Sequence, residues 1–167
     1  MAVWQLDKDY LAFPDPHTGE PDGLLAVGDT LLVGTFQSGL DFLSIGSDKV
    51  IKHFDSEAPN TTLHSDFIYH IYRTRKNKIL IATGRGLYEY FPKTSKFALL
   101  SVVPDYIFYT SIFEDSNENI WLGTWRDGLI SYSQKDNSSK VYRHEANLSG
   151  SISSNRVNRV FEDSKKN

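Results

Sequence analysis

Two pairs of adjacent carboxylates are the side chains in this sequence that most resemble acid–base machinery. Glu114-Asp115 and Glu162-Asp163 each place two acids side by side, a residue type that general acid–base catalysis uses. A catalytic pair belongs to one place in a chain, whereas these two pairs recur at the same position of a repeated pattern. Aspartate commonly bonds the backbone of its own turn, so we interpret both pairs as turn residues.

A second candidate for chemistry is the segment from Asp115 to Asn119, whose Asp-x-Asn-x-Asn spacing opens calcium-binding loops. Ile120 stands where such a loop requires glycine, and no glutamate occupies the final ligand position. The five histidines show no metal-ligand spacing, and the chain has no cysteine. The sequence therefore predicts no metal, no cofactor and no catalytic residue.

The elements that must position every other side chain come from an internal repeat. Three copies each combine a short apolar strand that ends in threonine with a Gly-Leu pair a few residues later. The copies are Leu31–Thr35 with Gly39-Leu40, Ile79–Thr83 with Gly86-Leu87, and Ile120–Thr124 with Gly128-Leu129. Their spacing of about 40 to 50 residues is typical of a propeller blade.

Each copy contains four short β-prone runs separated by turn residues, and no run sustains helical periodicity. The second run of each copy is apolar almost throughout, which indicates a strand buried on both faces, so we expect Trp121 in the third copy to be buried. We therefore predict an all-β fold, a β-propeller fragment of about three to four four-stranded antiparallel blades. The predicted divisions are outer strands of a preceding blade at 1–23, blades at 24–55, 66–100 and 106–145, and the first strand of the next blade at 156–167.

The repeat resembles that of the two-component regulator propellers. The resemblance lies in Ile112–Thr124 followed by Gly128-Leu129, and again in Gly150–Asp163. The second copy departs from the pattern, with Leu80 for tryptophan and Ala82 for glycine. The resemblance implies a fragment of a periplasmic sensor region, carbohydrate-responsive and part of a membrane-anchored signalling protein.

Bulk composition excludes several other classes of protein. The formal net charge of −3 over 167 residues argues against nucleic-acid binding, which needs a basic surface. No stretch has the length of apolar residues that a membrane helix needs, and the N-terminus lacks the apolar core of a signal peptide. With the resemblance, this leads us to expect a targeting segment outside the chain.

The loops that follow the second strand of each blade form the candidate ligand site. In an antiparallel blade these loops share one face with the connections between blades. The side chains we expect there are an aromatic platform with polar neighbours, as a sugar-binding surface would need: Trp125, Arg126, Asp127, Arg85, Phe36 and Gln37. The alternative is that Trp125 packs against the neighbouring blade.

The function predicted from these observations is a non-catalytic ligand-sensing module with an oligosaccharide as partner. Two rivals stay open, a propeller enzyme acting on polysaccharide (a lyase or a glycosidase) and a protein–protein scaffold. Open blade edges also predict self-association, or association with the remaining blades of a parent protein.

Overall fold

The computed structural model describes residues 23–59, 61–163 and 165, and every regular element within these ranges is a strand. The first sheet comprises β1 (Leu24–Val27), β2 (Thr30–Gly34), β3 (Leu40–Ser44) and β4 (Lys49–Phe54). The second comprises β5 (Ile68–Arg73), β6 (Ile79–Thr83), β7 (Gly86–Phe91) and β8 (Lys96–Leu99). The third comprises β9 (Tyr109–Glu114), β10 (Asn119–Thr124), β11 (Leu129–Ser133) and β12 (Ser138–Tyr142).

In each sheet the four strands follow one another in chain order, and every neighbouring pair is antiparallel. The first strands of successive sheets, β1, β5 and β9, contact one another. The sheets therefore lie side by side with their first strands innermost, as blades do around a propeller axis. The predicted all-β class and propeller fragment are confirmed. None of the described segments has the helical length and hydropathy of a membrane span.

Two apolar cores join the three blades. One lies between the first and second blades and contains Leu32, Phe42 and Ile81, and the other lies between the second and third blades and contains Leu80 and Leu122. Strand β6 contributes alternate side chains to both cores and is buried at every position. Its uninterrupted apolar sequence is thus the consequence of having a blade on each face.

Acidic side chains link the third blade, and the segment that follows it, to the turn of the preceding blade. Glu114, at the end of β9, is 2% exposed, and its Oε2 accepts a hydrogen bond from Arg75 N in the β5–β6 turn at 2.7 Å. One repeat later, Glu162 Oε2 accepts from Ser116 N in the β9–β10 turn at 3.0 Å. The first acid of each pair therefore fixes a turn of the preceding blade.

The second acid fixes its own turn. Asp115 Oδ1 accepts from Asn117 N and Asn119 N, both at 2.9 Å, and its Oδ2 accepts from Trp121 Nε1 at 2.8 Å. Burial acts to raise the pKa of Asp115, but hydrogen bonds from Trp121, Asn119 and Asn117 outweigh it and hold that pKa below its ordinary value. The carboxylate oxygens are thus committed to the turn.

Replacing Glu114 with alanine is expected to lower the free energy of unfolding by about 1–3 kcal/mol, because the amide of Arg75 loses an acceptor whose side chain is buried. Urea denaturation measures the change. The matched control is Glu118→Ala, since Glu118 pairs only with Lys76 at the surface and should give no measurable change. Equal effects of the two substitutions would refute the link between blades.

One strand prediction is wrong. Residues 157–162 are not a strand, because no other segment in the described part of the chain pairs with them as a ladder. Val157 N nevertheless donates to Thr124 O at 2.9 Å, just as Ile68 N donates to Thr35 O at the start of β5. The segment therefore lies where the innermost strand of a further blade would begin. The outer strands predicted within 1–23 lie outside the described residues, apart from Gly23.

The expectation that Trp121 is buried is also wrong. Trp121 is only half-buried, and its ring stacks on that of Tyr142 with centroids 5.8 Å apart. Leu80 occupies the equivalent position of the second blade and is 1% exposed, because the third blade covers it. Trp121 lies on the corresponding face of the third blade, where the segment from Asn155 to Glu162 takes the place of a full blade.

Candidate functional site

The loop after the second strand of each blade is held by a buried threonine. The Oγ1 atoms of Thr35, Thr83 and Thr124 donate to the carbonyls of Gly39, Gly86 and Gly128 at 2.7–2.8 Å. Each of these Oγ1 atoms also accepts a backbone N–H from within its loop. The recurring threonine and glycine of the sequence repeat are therefore the two ends of one clamp. Three loops of fixed shape result.

Backbone hydrogen bonds tie these loops to the connections between blades. Trp125 N donates to Phe108 O at 3.0 Å, and Gly84 N donates to Phe67 O at 3.0 Å. Phe67 and Phe108 directly precede the first strands of their blades. The loops and the connections thus lie on one face of the fragment, as antiparallel geometry requires.

Five aromatic side chains form a continuous strip across this face, which we call the aromatic strip. Its members come from all three blades and are Phe36, Phe67, Tyr69, Phe108 and Trp125. Phe36 meets Phe67 edge-on at 5.4 Å and Tyr69 edge-on at 6.1 Å between centroids. Tyr69 meets Phe108 at 4.5 Å, and Phe108 meets Trp125 at 6.1 Å. Phe36 is 45% exposed and Trp125 is 38% exposed, so both ends of the strip present ring surface.

Gly84 makes room in the middle of the strip. It occupies the loop position that Phe36 and Trp125 occupy in the other two blades. A Cβ atom at Gly84 would lie 3.1 Å from Phe67 Cβ and 3.3 Å from Phe108 Cε2. Absence of a side chain here lets these two rings close in from neighbouring blades.

The guanidinium of Arg156 covers one end of the strip. Its Cζ lies 3.7 Å from the centroid of the Trp125 ring, within cation–π range. Trp125 therefore packs on Phe108 and is covered by Arg156 while more than a third of it stays exposed. Its packing and its availability to a ligand are compatible.

Among the other predicted site residues, Gln37, Arg85 and Arg126 are exposed on the same three loops. Arg85 lies beside the Tyr106 ring, with 5.9 Å from its Cζ to the centroid. Asp127 is half-buried, and its Oδ1 lies 3.5 Å from Arg143 Nη2. Their role in binding stays a prediction.

Sequence reasoning missed four residues of this face. Phe67, Phe108 and Arg156 occupy one repeat position, immediately before the innermost strand, and Tyr69 follows two residues after Phe67. Aligning the three copies upstream of their apolar cores would have exposed that position. The loops after the second strands contain only two of the five members of the strip, Phe36 and Trp125.

Protonation and metal ligation add little to this surface. Burial raises the pKa of Tyr69 to about 12, so its hydroxyl stays protonated at neutral pH. Across the described ranges, no group of three or more histidine or acidic side chains is placed to hold a metal ion. Aromatic rings and guanidinium groups are what this face offers to a ligand.

A β-propeller fragment with clamped loops around an aromatic strip is the class of protein that these features define. The family model described as two component regulator propeller matches residues 103–126. This match covers the entry to the third blade and its second strand, the copy that follows the repeat pattern most closely. The resemblance to the two-component regulator propellers is therefore confirmed.

Solved structures give the same picture. The chain is 26% identical to the extracellular domain of a B. thetaiotaomicron protein assigned to the hybrid two component systems, with a TM-score of 0.69. The match covers 89% of this chain and 18% of that one, so the chain spans less than a fifth of that domain.

A second B. thetaiotaomicron extracellular domain, of a protein assigned to the one component systems, is 22% identical with a TM-score of 0.50. It matches over 91% of this chain and 26% of its own length, and shows the fold alone. Streptogramin B lyase shares the fold at 16% identity and a TM-score of 0.51, over 80% of this chain and 43% of that enzyme. No curated protein sequence matches the chain.

Proposed function

We propose that this chain is part of the extracytoplasmic sensor region of a bacterial signal-transduction protein, and that its aromatic strip binds carbohydrate. The sensor assignment is supported by the regulator-propeller match and by the likeness to an extracellular domain of a hybrid two component system. The parent protein would be membrane-anchored, with this chain in the periplasm.

The aromatic strip is the observation that carries the ligand proposal. The C–H faces of sugar rings pack on aromatic rings, and sugar hydroxyls need hydrogen-bonding groups alongside. Phe36 and Trp125 present rings at the two ends of the strip, and Gln37 and Arg126 follow them in the same loops. Because the threonine clamps already fix these loops, ordering them would subtract little from the free energy of ligand binding.

An enzyme acting on polysaccharide is the weaker alternative. It would need a carboxylate, histidine or tyrosine cluster close to the bound sugar. The acids that the sequence singled out, Glu114 and Asp115, instead accept hydrogen bonds from turns. Likeness to the lyase extends to the fold alone, and fold does not fix function.

Replacing Trp125 or Phe36 with alanine is expected to weaken carbohydrate binding about tenfold or more, equivalent to about 1.4 kcal/mol or more. The thermal midpoint should change little, because both rings are partly exposed. A glycan array followed by calorimetry with cello-, xylo- and galacturono-oligosaccharides measures the binding.

The matched control is Phe91→Ala, which removes a ring of similar exposure (41%). Phe91 is the last residue of β7, at the end of the strand opposite the β6–β7 loop. The substitution should leave affinity unchanged. Binding that survives loss of both Phe36 and Trp125 would contradict the proposed site, and an array with no bound glycan would contradict the proposed ligand class.

The open face of the third blade supports a second proposal, namely that the chain self-associates or docks on further blades. Trp121 and Tyr142 are half-buried there, and Phe161 is 59% exposed. Aromatic side chains at an unpaired blade face favour association. Light scattering at micromolar concentration should give a mass above the 19.0 kDa of one chain. A stable monomer would refute self-association.

A further inference from the structure

The geometry points to an acidic saccharide as the ligand of the aromatic strip, with its acid group at the third-blade end. This inference rests on the proposed carbohydrate site and adds the charge of the ligand and the direction in which it lies. It rests on a difference in charge between the two ends of the strip.

The two ends of the strip differ at two repeat positions, and the first of these immediately precedes the innermost strand. Phe67 and Phe108 occupy it ahead of the second and third blades, and Arg156 occupies it next. The second position lies in the loop, two residues after the clamping threonine. It is Gln37 in the first blade and Arg126 in the third. At these two positions the first-blade end therefore carries a neutral amide and a phenyl ring, whereas the third-blade end carries two arginines.

The guanidinium of Arg156 is positioned so that its N–H groups are available to an anion. Its guanidinium lies on the Trp125 ring at 3.7 Å, which orients the plane of the group without using its N–H donors. Within the described residues, neither Arg156 nor Arg126 forms an ion pair with an acid. Both side chains are exposed. A guanidinium in this state can take a carboxylate or sulfate in a bidentate contact.

Two of the neighbouring acids, Asp127 and Asp66, have other partners. Asp127 lies 3.5 Å from Arg143, and Asp66 accepts from both N and Oγ of Ser56 at 2.6 and 2.7 Å. Asp105 is exposed in the connection that precedes the third blade. None of the three forms an ion pair with Arg156 or Arg126, so both guanidinium groups keep their donors for a ligand.

A sugar ring bearing a carboxylate fits this arrangement. Its apolar face would pack on the strip while its acid group meets Arg156 and Arg126. Attraction between an exposed guanidinium and a carboxylate is screened by salt, so affinity should depend on ionic strength. Stacking of a neutral sugar on the same rings would not.

The test uses the full chain and matched probes whose rings are the same and whose charge differs. Calorimetry compares tetragalacturonate with its methyl ester, and a hyaluronan tetrasaccharide with its methyl ester. We expect at least one acidic member to bind about tenfold or more tightly than its ester, and to weaken several-fold as salt rises from about 0.05 to 0.5 M.

Arg156→Gln and Arg126→Gln should each reduce the preference for the acid over its ester. The control is Lys135→Gln, an exposed cation in the β11–β12 turn on the opposite face, which should not. Esters that bind as tightly as the acids, or acids that do not bind at all, overturn the inference. Neutral cello- or xylo-oligosaccharides bound through Phe36 and Trp125 would in that case leave the proposed function standing.

Discussion

Replacing Leu80 with alanine is expected to lower the free energy of unfolding by about 3–5 kcal/mol. Leu80 is 1% exposed in the core between the second and third blades, so its removal leaves a cavity that flanking strands cannot fill. Urea denaturation measures the loss. Should the alanine variant fail to fold, Leu80→Met tests the same site, with an expected loss below about 1.5 kcal/mol.

Trp121→Ala supplies the comparison, since it removes a larger side chain from the equivalent position of the third blade. Its expected loss is only about 1–2 kcal/mol, because the indole is half-buried and no complete blade covers it. A loss for Trp121→Ala as large as that for Leu80→Ala would show that the open face is covered. We therefore expect the larger loss of unfolding free energy at the residue that a neighbouring blade covers, and not at the larger residue.

Replacing Gly128 with alanine is expected to destabilise the chain by about 3 kcal/mol or more. Gly128 has a φ of +87°, which L residues with a Cβ rarely adopt, and a Cβ there would lie 2.1 Å from Tyr142 O. Its carbonyl also accepts the Thr124 hydroxyl that clamps the loop. Strain at this glycine would thus disturb the loop that presents Trp125.

Gly46→Ala is the matched control for this substitution. Nothing lies within 4 Å of a Cβ at Gly46, and its φ is not positive. The substitution should be neutral or stabilise the chain by a few tenths of a kcal/mol up to about 1 kcal/mol, through the unfolded state. A thermal midpoint lowered equally by both alanines would contradict the clamp.

Sequence alone predicted the blades because the repeat carries their physical requirements. Threonine and glycine recur because they form a hydrogen-bonded clamp, and an uninterrupted apolar strand such as β6 has a blade on each face. Residues 157–162 and Trp121 were predicted wrongly for one shared reason. Both depend on a neighbouring blade, and a repeat pattern describes a position as if its neighbour were always present.

The candidate site was predicted only in part. Phe36 and Trp125 stand out in the loops after the second strands, and the structure places both on the aromatic strip. Phe67, Phe108 and Arg156 lie far from those loops in sequence and join them through hydrogen bonds and ring contacts between segments. Loop spacing does not reveal such contacts, whereas alignment of the inner strands shows that these three residues share one repeat position.

The indole N–H signals of the chain test carbohydrate binding at the aromatic strip most directly. Trp125 and Trp121 lie on different surfaces, and Trp121 Nε1 is committed to Asp115. In a nuclear magnetic resonance titration with the oligosaccharides named above, the indole signals are assigned with Trp125→Phe and Trp121→Phe variants. We predict a saturable shift of the Trp125 indole signal and no shift of the Trp121 signal. A saturable shift confined to Trp121, or no shift of either indole with any of these oligosaccharides, would contradict the account.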